Sequence, residues 1–334
     1  MTPRELSGVS ADQFHAEIVS AGQPVVLRGL VADWPAVQAA RQSDEAVLAH
    51  LARFERGAEL TTLIGEPEHK GRFFYDADLG GFNFQSLPAK LTRSFDFLLA
   101  QRYEPAPITL AVQSIGTHEH LPGFGEANPN PLLELSVEGR LWIGNRAIVA
   151  AHQDPYENLA CVVAGQRRFT LFPPSSVGDL YVGPFERTPG GPPISLVSFD
   201  DPDLARHPRF AEAMEAAVVA DLEPGDAIYI PYLWWHHVRS LAPLNILANY
   251  WWTQPDGGRG QPYDAFLHAV LALRALPQGQ RAAWKATFDH YVFGEGAAAT
   301  DHLPVERRGM LGELSEDEAA GLRKRLGEKL LKSR

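Results

Sequence analysis

The stretch from Ala151 to Pro174, AHQDPYENLACVVAGQRRFTLFPP, decides the predicted fold and the predicted chemistry of this chain. It begins with His152 and Asp154, two metal-binding side chains separated by one residue, and continues into a pattern typical of a β-hairpin. A histidine near an aspartate is, taken alone, more typical of a solvated turn than of a metal site. The pair becomes informative only if another ligand is found elsewhere.

A second stretch, LEPGDAIYIPYLWWHHVRSL from Leu222 to Leu241, contains that ligand. A Pro-Gly-Asp turn leads into an apolar strand, and His236 and His237 follow two tryptophans. Two histidines and one carboxylate make a facial triad, which occupies three positions of Fe(II) and leaves three open. Structural zinc, in contrast, is enclosed by four ligands.

The strand pattern around these two stretches predicts a β-sandwich or barrel. Between Ile108 and Tyr250, short β-rich runs alternate with Gly, Pro, Asn and Asp. Before them, Ala11 to Ser20 is predicted to be helical and Pro24 to Leu30 to be a strand. After Pro262 the pattern becomes helical, and Ser315 with Glu318 has the spacing of a capping box before the last helix.

Composition limits the class of partner. The chain has 334 residues and a formal net charge of −11, so it lacks the basic excess that nucleic acid or an anionic membrane would attract. No apolar run approaches the ~18 residues of a membrane span, and the N-terminus does not have the pattern of a signal peptide. Cys161 is the single cysteine and is expected in the core. We expect a soluble, cytoplasmic protein.

The order of the motifs resembles a known family. HxD, a hairpin, LFPP, Pro-Gly-Asp, a strand ending in Ile-Pro, and WWHH follow one another as in the Jumonji C or cupin-like Fe(II)/2-oxoglutarate-dependent oxygenases. Within that family the resemblance is closest to protein asparaginyl hydroxylases. It covers residues 24–252 and is strongest over 152–252. It implies a mainly β protein with flanking helices, whose core is a double-stranded β-helix, or jelly roll.

The resemblance also implies site residues. His152, Asp154 and His236 would be the iron ligands, with His237 a neighbour of the site. Arg167 takes the place of the basic residue, usually lysine, that binds the distal carboxylate of 2-oxoglutarate, and an arginine fork preserves that chemistry. Dioxygen would be the other co-substrate. Arg168, one residue on, would point to the opposite face of the strand and to the surface.

Further residues are implied beside the co-substrate and at the substrate rim. Asn158 and Asn249 match family asparagines near 2-oxoglutarate, although buried amides that satisfy backbone groups are an equal alternative. Tyr75 and Phe82 lie where the family builds its substrate rim, or they pack only as a lid.

The pocket pattern of the family is incomplete in this chain. A hydroxyl residue expected just before the HxD motif is replaced by residues 149–151, Val-Ala-Ala, and a tyrosine expected within residues 108–115 is absent. His118 and His120 have a chelating spacing, but a polar loop is favoured over a second metal site there.

Three segments of the oxygenase are predicted from these patterns. Residues 1–105 form the N-terminal α+β part, residues 106–256 the double-stranded β-helix core, and residues 257–334 a helical dimerisation region. The dimer prediction depends on an apolar stripe in the last region. The stripe contains Phe266, Val270, Leu271, Leu273, Trp284 and Phe288.

The function predicted is hydroxylation of a protein or peptide side chain, with a small-molecule metabolite as the alternative substrate. Lysine demethylation is disfavoured because nothing resembling a histone-reading module accompanies the domain. A non-oxygenase cupin, such as an isomerase or a sugar-binding module, would typically carry HxH and a glutamate. A third alternative is an interaction protein that keeps the fold without activity, and the intact triad argues against it.

Overall fold

The computed structural model describes residues 2–253, 257–295 and 299–332. The chain divides into two compact units, Met1–Thr253 and Gln254–Arg334. The strands of the described residues all belong to the first unit, where they form two sheets. Residue 256, predicted as the last residue of the β-helix core, lies outside the described residues.

The larger sheet has nine strands, and every neighbouring pair is antiparallel except β1 and β2. Pro88 lies in β5, where the missing N–H is tolerated because β5 is at the edge of the sheet. The spatial order is β1 (Arg4–Leu6), β2 (Val25–Leu27), β12 (Ala227–Ile230), β9 (Glu157–Ala164), β14 (Asn245–Trp252), β7 (Gly139–Gly144), β6 (Thr109–Gly116), β3 (Glu59–Gly65) and β5 (Phe84–Lys90).

The smaller sheet has five strands and is antiparallel except where β4 pairs with β8. Both strands that carry the predicted metal-binding histidines, β8 and β13, lie next to each other in this sheet. The spatial order is β11 (Val218–Leu222), β10 (Arg167–Phe172), β13 (Trp235–Ser240), β8 (Ile148–His152) and β4 (Arg72–Phe73).

The two sheets pack face to face across one apolar layer. Val162 and Leu247 of the larger sheet contact the same buried cluster as Phe169 and Val238 of the smaller sheet. Alternate residues of each strand point into this layer, as expected where two sheets share a core. The predicted mainly β jelly roll with flanking helices is confirmed.

Helices cover the other face of the nine-stranded sheet. Phe14, Trp34, Leu51 and Phe124 from this helical layer pack in one cluster with Leu141 and other sheet residues. Serine side chains accept hydrogen bonds from the first turns of two of these helices. The helices of this unit are α1 (Ala11–Gln13, continued by a π-helix at Phe14–Val19), α2 (Pro35–Gln42), α3 (Asp44–Ala52), α4 (Leu91–Gln101), α5 (Thr117–His120), α6 (Phe124–Ala127) and α7 (Phe210–Ala216).

Several element predictions need correction. The helix predicted at Ala11 to Ser20 is mostly a π-helix, which buries both Phe14 and Ile18. The strand predicted from Pro24 to Leu30 ends at Leu27, because Gly29 adopts a φ of 68°, outside the strand region.

The second unit is helical, as predicted, with described helices at Pro262–Leu273, Gln278–Tyr291 and Glu316–Lys332. The predicted capping box is confirmed, because Ser315 N donates to Glu318 Oε2 at 2.9 Å and Glu318 N donates to Ser315 Oγ at 3.4 Å. Throughout the described residues, none of the helices has the length and apolar character needed to cross a bilayer.

Candidate metal centre

The metal-ligand candidates meet because β8 and β13 are adjacent antiparallel strands. His152 is the last residue of β8, and it lies directly opposite His236 of β13. Asp154 follows two residues later, in the loop that leaves β8. Leu233 N donates to the carbonyl of Asp154 at 3.1 Å, which holds this loop against the segment that enters β13. Sheet register therefore brings together three residues that are up to 84 positions apart in the sequence.

The three side chains form a compact ligand set. Asp154 Oδ2 lies 3.6 Å from His236 Nε2 and 3.9 Å from His152 Nε2. Candidate ligand atoms of all three residues lie within 4.8 Å of one another. Among the described residues, no other group of three or more His, Cys, Asp or Glu meets this condition.

Hydrogen bonds to the backbone orient both imidazoles. His152 Nδ1 lies 3.0 Å from the carbonyl of Ala150, and His236 Nδ1 lies 3.1 Å from the carbonyl of Trp234. A carbonyl only accepts, so each Nδ1 carries the proton and each Nε2 presents a lone pair toward Asp154. Burial and the nearby His152 lower the pKa of His236 to about 4, which keeps this imidazole neutral near pH 7. Neutral imidazoles with a fixed second nitrogen are typical metal ligands.

His237 does not join this group. Its ring stacks on Phe199 with centroids 4.3 Å apart and an interplanar angle of 12°. Burial lowers its pKa to about 3. Because alternate residues of a strand point to opposite faces, His237 points away from the face that carries His236. The structure thus places the first histidine of the pair, and not the second, with His152 and Asp154.

A cavity between the sheets contains the three ligands and the predicted co-substrate residues. His152, Asp154 and His236 line it. The three residues that were predicted from the sequence to bind 2-oxoglutarate line it as well. These are Arg167, Asn158 and Asn249.

Arg167 is buried without a charged partner. Its exposed fraction is 6%, and burial lowers its pKa to about 10. Its Nη2 donates to the carbonyl of Trp142 at 3.5 Å, while its buried Nε has no hydrogen-bond partner in the described part of the chain. An uncompensated buried cation of this kind favours an anionic ligand. Arg168 faces outward, and its guanidinium forms two 2.7 Å hydrogen bonds to the carboxylate of Asp221.

The two asparagines form a pair across β9 and β14. Asn249 Nδ2 donates to Asn158 Oδ1 at 2.7 Å, and both residues are buried. This bond fixes the orientation of the two amides and leaves the other polar atoms of both free to contact a ligand. The two asparagines thus hydrogen-bond each other rather than backbone groups, and both line the cavity.

Sequence reasoning missed five residues with polar side-chain atoms that line the same cavity: Gln113, Trp142, Asn145, Ser240 and Trp251. The buried Nε1 atoms of both tryptophans have no hydrogen-bond partner within the described residues. Their rings form an edge-to-face pair with centroids 6.0 Å apart. The two-residue alternation of a strand would have identified Trp251, because it shares a face with the predicted site residue Asn249.

Tyr75 and Phe82, predicted at the substrate rim or in a lid, pack against each other next to the cavity-lining loop. They form a β-bridge with each other, with ring centroids 5.7 Å apart, and neither is among the described residues that line the cavity. The Tyr75 hydroxyl donates to the carbonyl of Arg187 at 2.6 Å. Arg187 belongs to the loop whose residues Gly190 and Pro192 line the cavity. Tyr75 thus contacts this loop through a hydrogen bond.

The histidines with chelating spacing at 118 and 120 lie in the short helix α5. His118 is exposed, and neither histidine belongs to a described metal-ligand group. The nitrogen of His118 donates through its backbone N–H to Glu138 Oε1 at 3.0 Å. The predicted polar loop is therefore a short helix at these two histidines.

The ligand set fits a ferrous ion. Two imidazoles and one carboxylate from one side of a cavity match the facial triad of non-heme Fe(II) proteins, in which further coordination positions remain open. The described residues place no fourth His, Cys, Asp or Glu in the group, as a closed structural zinc site would require. The open side of the triad faces the cavity that contains Arg167.

Comparison with known proteins gives a consistent result. Residues 11–258 match the cupin-like domain family. Jumonji C domain-containing protein 5 of Drosophila melanogaster is 27% identical over 250 residues, which are 74% of this chain and 59% of that protein. The bifunctional peptidase and (3S)-lysyl hydroxylase JMJD7 of Homo sapiens is 32% identical over 155 residues, 40% of this chain and 46% of that protein.

A lysine-specific demethylase, JMJ31 of Arabidopsis thaliana, is also similar, with 35% identity over 103 residues, 31% of this chain and 18% of that protein. The chain spans between about a fifth and three fifths of the length of these three relatives. Their names include both a hydroxylase and a demethylase.

Proposed function

The chain belongs to the cupin-like family that includes Jumonji C proteins, and from this premise we propose that it is an Fe(II)- and 2-oxoglutarate-dependent dioxygenase that hydroxylates a protein or peptide side chain. One observation carries the proposal. The cavity that His152, Asp154 and His236 line is also lined by Arg167, whose buried Nε has no hydrogen-bond partner among the described residues.

Each part of this arrangement has a role in the proposed reaction. The triad would hold iron on one side, and Arg167 would bind the far carboxylate of a 2-oxo dicarboxylate through charge-assisted hydrogen bonds. With ferrous iron bound, the site would couple oxidative decarboxylation of 2-oxoglutarate to hydroxylation of a C–H bond. One oxygen atom of dioxygen enters the substrate as hydroxyl, the other enters succinate, and CO2 leaves.

The apolar walls support the same proposal. Val149, Phe169, Val238 and Leu247 line the cavity beside the triad. Such walls exclude water from the reacting atoms and hold the carbon chain of the co-substrate by burial of apolar surface. Asn158 and Asn249 would orient the end of the co-substrate near the metal.

A protein or peptide substrate is favoured by the relatives. Two of them are named as a lysyl hydroxylase and a lysine-specific demethylase, and both names specify an amino-acid side chain. Gly190 and Pro192, from the segment between Arg187 and Ile194, also line the cavity. Loops of this kind commonly frame substrate sites. A small-molecule metabolite is the second candidate.

A fractionated extract tests the substrate class. Succinate formation from 2-oxoglutarate is measured after addition of the protein fraction or the small-molecule fraction, with the Asp154→Ala variant as the blank. The proposal expects stimulation by the protein fraction and a mass increase of one oxygen atom on a protein. Formaldehyde release would instead indicate hydroxylation of an N-methyl group. Stimulation by the small-molecule fraction alone would contradict a protein substrate.

The C-terminal unit would mediate a homodimer. Several apolar side chains of its helices are exposed in the single chain, including Phe266 at 46%, Leu271 at 80% and Trp284 at 47%. Exposed apolar surface of this extent typically marks an interaction site. Light scattering should give the dimer mass for the full chain and the monomer mass for Leu271→Glu. Leu204→Glu, at an exposed apolar residue of the first unit, is the control and should stay dimeric.

A further inference from the structure

The co-substrate end of the cavity lacks two polar groups that the family pattern would supply. The residues just before the HxD motif are Val149, Ala150 and Ala151, and β6 contains no tyrosine. A carboxylate offers about four lone-pair positions, whereas one arginine fork fills two of them. A buried carboxylate beside Arg167 therefore requires further donors from other residues.

Ser240 offers the first of these donors. It lies directly opposite Arg167 in the pairing of β13 with β10, and it lines the cavity. Val238 and His236, two and four residues earlier on the same strand face, line it as well. The wall thus leads from the metal ligand to the hydroxyl beside Arg167. β13 also pairs with β8, the strand in which residues 149–151 carry no hydroxyl group. The Ser240 hydroxyl therefore lies on the strand next to β8.

Trp142 offers the second donor. Its carbonyl accepts the 3.5 Å hydrogen bond from Arg167, which places β7 beside the guanidinium. Its side chain lines the cavity, and its buried Nε1 has no partner among the described residues. A buried indole N–H normally has a hydrogen-bond partner, so an unpaired one in a cavity wall indicates a ligand acceptor. The edge-to-face contact with Trp251 holds the ring in place.

We propose that the Ser240 hydroxyl and the Trp142 indole N–H, together with Arg167, bind the distal carboxylate of the co-substrate and select a dicarboxylate over a monocarboxylate. This inference rests on the proposed function and assigns two binding residues that the family pattern does not contain. Ser240 and Trp142 lie on opposite sheets, so the two donors approach the carboxylate from both walls of the cavity.

The experiment measures binding without turnover. The full-length protein is loaded with Mn(II) in place of iron, and its affinity is measured by calorimetry for 2-oxoglutarate and for 2-oxobutyrate. The second ligand keeps the 2-oxo acid end and lacks the distal carboxylate. Ser240→Ala and Trp142→Phe should each weaken 2-oxoglutarate binding by roughly tenfold, the usual effect of one hydrogen bond to a charged group, and leave 2-oxobutyrate binding unchanged.

Two matched variants control for indirect effects. Thr170→Val removes a buried hydroxyl from the other face of β10, and Trp252→Phe trims a tryptophan on the other face of β14. Both should bind the two ligands as the wild type does, and thermal unfolding should show that all four variants are folded.

The outcomes separate this inference from the proposed function. Wild-type affinity for 2-oxoglutarate in both Ser240→Ala and Trp142→Phe would overturn the inference and leave the proposed function standing. An equal loss of affinity for both ligands would also overturn it, because the residues would then act on the metal end. Failure of the Mn(II)-loaded wild type to bind 2-oxoglutarate would overturn the proposed function itself, and the inference with it.

Discussion

Tryptophans on the two faces of the nine-stranded sheet differ in the hydrogen bonding of their indole N–H groups. On the face covered by helices, Trp34 packs among apolar residues and its Nε1 donates to the carbonyl of Pro129 at 2.8 Å. On the face that meets the smaller sheet, Trp142 and Trp251 line a cavity, and their buried indole nitrogens have no hydrogen-bond partner among the described residues. The Trp34 N–H therefore has an acceptor within the chain. The two indole N–H groups at the cavity have none among the described residues, and the three metal-ligand candidates line the same cavity.

The difference shows how a binding site can be recognised beside a core. Buried donors in folded proteins are almost always paired, because each unpaired one costs about 1–3 kcal/mol. Three unpaired donors around one cavity, Arg167 Nε and the two indole nitrogens, are therefore expected to find their acceptors in a ligand. The face covered by helices thus contributes to the stability of the fold. On the face that meets the smaller sheet, the unpaired donors lower the stability of the ligand-free protein and are available to bind a ligand.

The largest effect is expected at the metal ligands. His152→Ala, Asp154→Ala and His236→Ala should each remove one of three ligands and so abolish both iron retention after dialysis and 2-oxoglutarate turnover. His237→Ala is the control and should retain iron, because its ring stacks on Phe199 away from the triad. Loss of iron in His237→Ala with retention in His236→Ala would show that the two histidines are assigned the wrong way round.

Replacing Arg167 would test whether the cavity between the two sheets binds 2-oxoglutarate. Arg167→Met should reduce the affinity for 2-oxoglutarate by about ten- to a hundredfold while iron binding persists, because the guanidinium would bind the far carboxylate and not the metal. The same change removes an unpaired buried cation, so the midpoint of thermal unfolding without ligand should rise. Unchanged 2-oxoglutarate affinity in this variant would contradict the assignment.

A tryptophan comparison would sharpen the contrast between the faces. Trp34→Phe breaks a satisfied hydrogen bond and should lower the free energy of unfolding by about 1–3 kcal/mol, because the Pro129 carbonyl loses its donor. Trp142→Phe removes an unpaired N–H and should cost less in the ligand-free protein. Chemical denaturation of both variants measures the two values, and an equal loss in both would remove the distinction.

The smallest effect is expected at Arg168, next to Arg167 in sequence. Its ion pair with Asp221 is exposed on both sides, so Arg168→Ala should change the free energy of unfolding by less than about 1 kcal/mol. Its affinity for 2-oxoglutarate should equal that of the wild type in the same titration. A loss of affinity comparable to that of Arg167→Met would mean that the strand faces are inverted.

Much of the fold and the ligand set was readable from local patterns. The apolar runs predicted most strands of the jelly roll, and the spacing of HxD and WWHH predicted three residues that the structure brings together. Strands β8 and β13 were not predicted, although they carry both histidines. Their polar ends resemble loops, and only pairing with each other reveals them as strands.

The rest depends on contacts between distant parts of the chain. Ser240 faces Arg167 through sheet register, across more than 70 residues of sequence, which no local pattern encodes. Trp142 and Trp251 resemble ordinary strand residues until the opposite sheet leaves a cavity beside them. The resemblance placed Tyr75 at the substrate rim, and no local pattern predicted the hydrogen bond from its hydroxyl to the carbonyl of Arg187, 112 residues later.

An anaerobic titration tests the central claim, that the triad and Arg167 form one site for iron and a 2-oxo dicarboxylate. Fe(II) and then 2-oxoglutarate are added to the protein without oxygen, and the visible spectrum is followed. The wild type should develop the weak charge-transfer band of a 2-oxo acid chelated to ferrous iron, and Asp154→Ala should not. A wild-type protein that binds Fe(II) and shows no such band at saturating 2-oxoglutarate would contradict the claim.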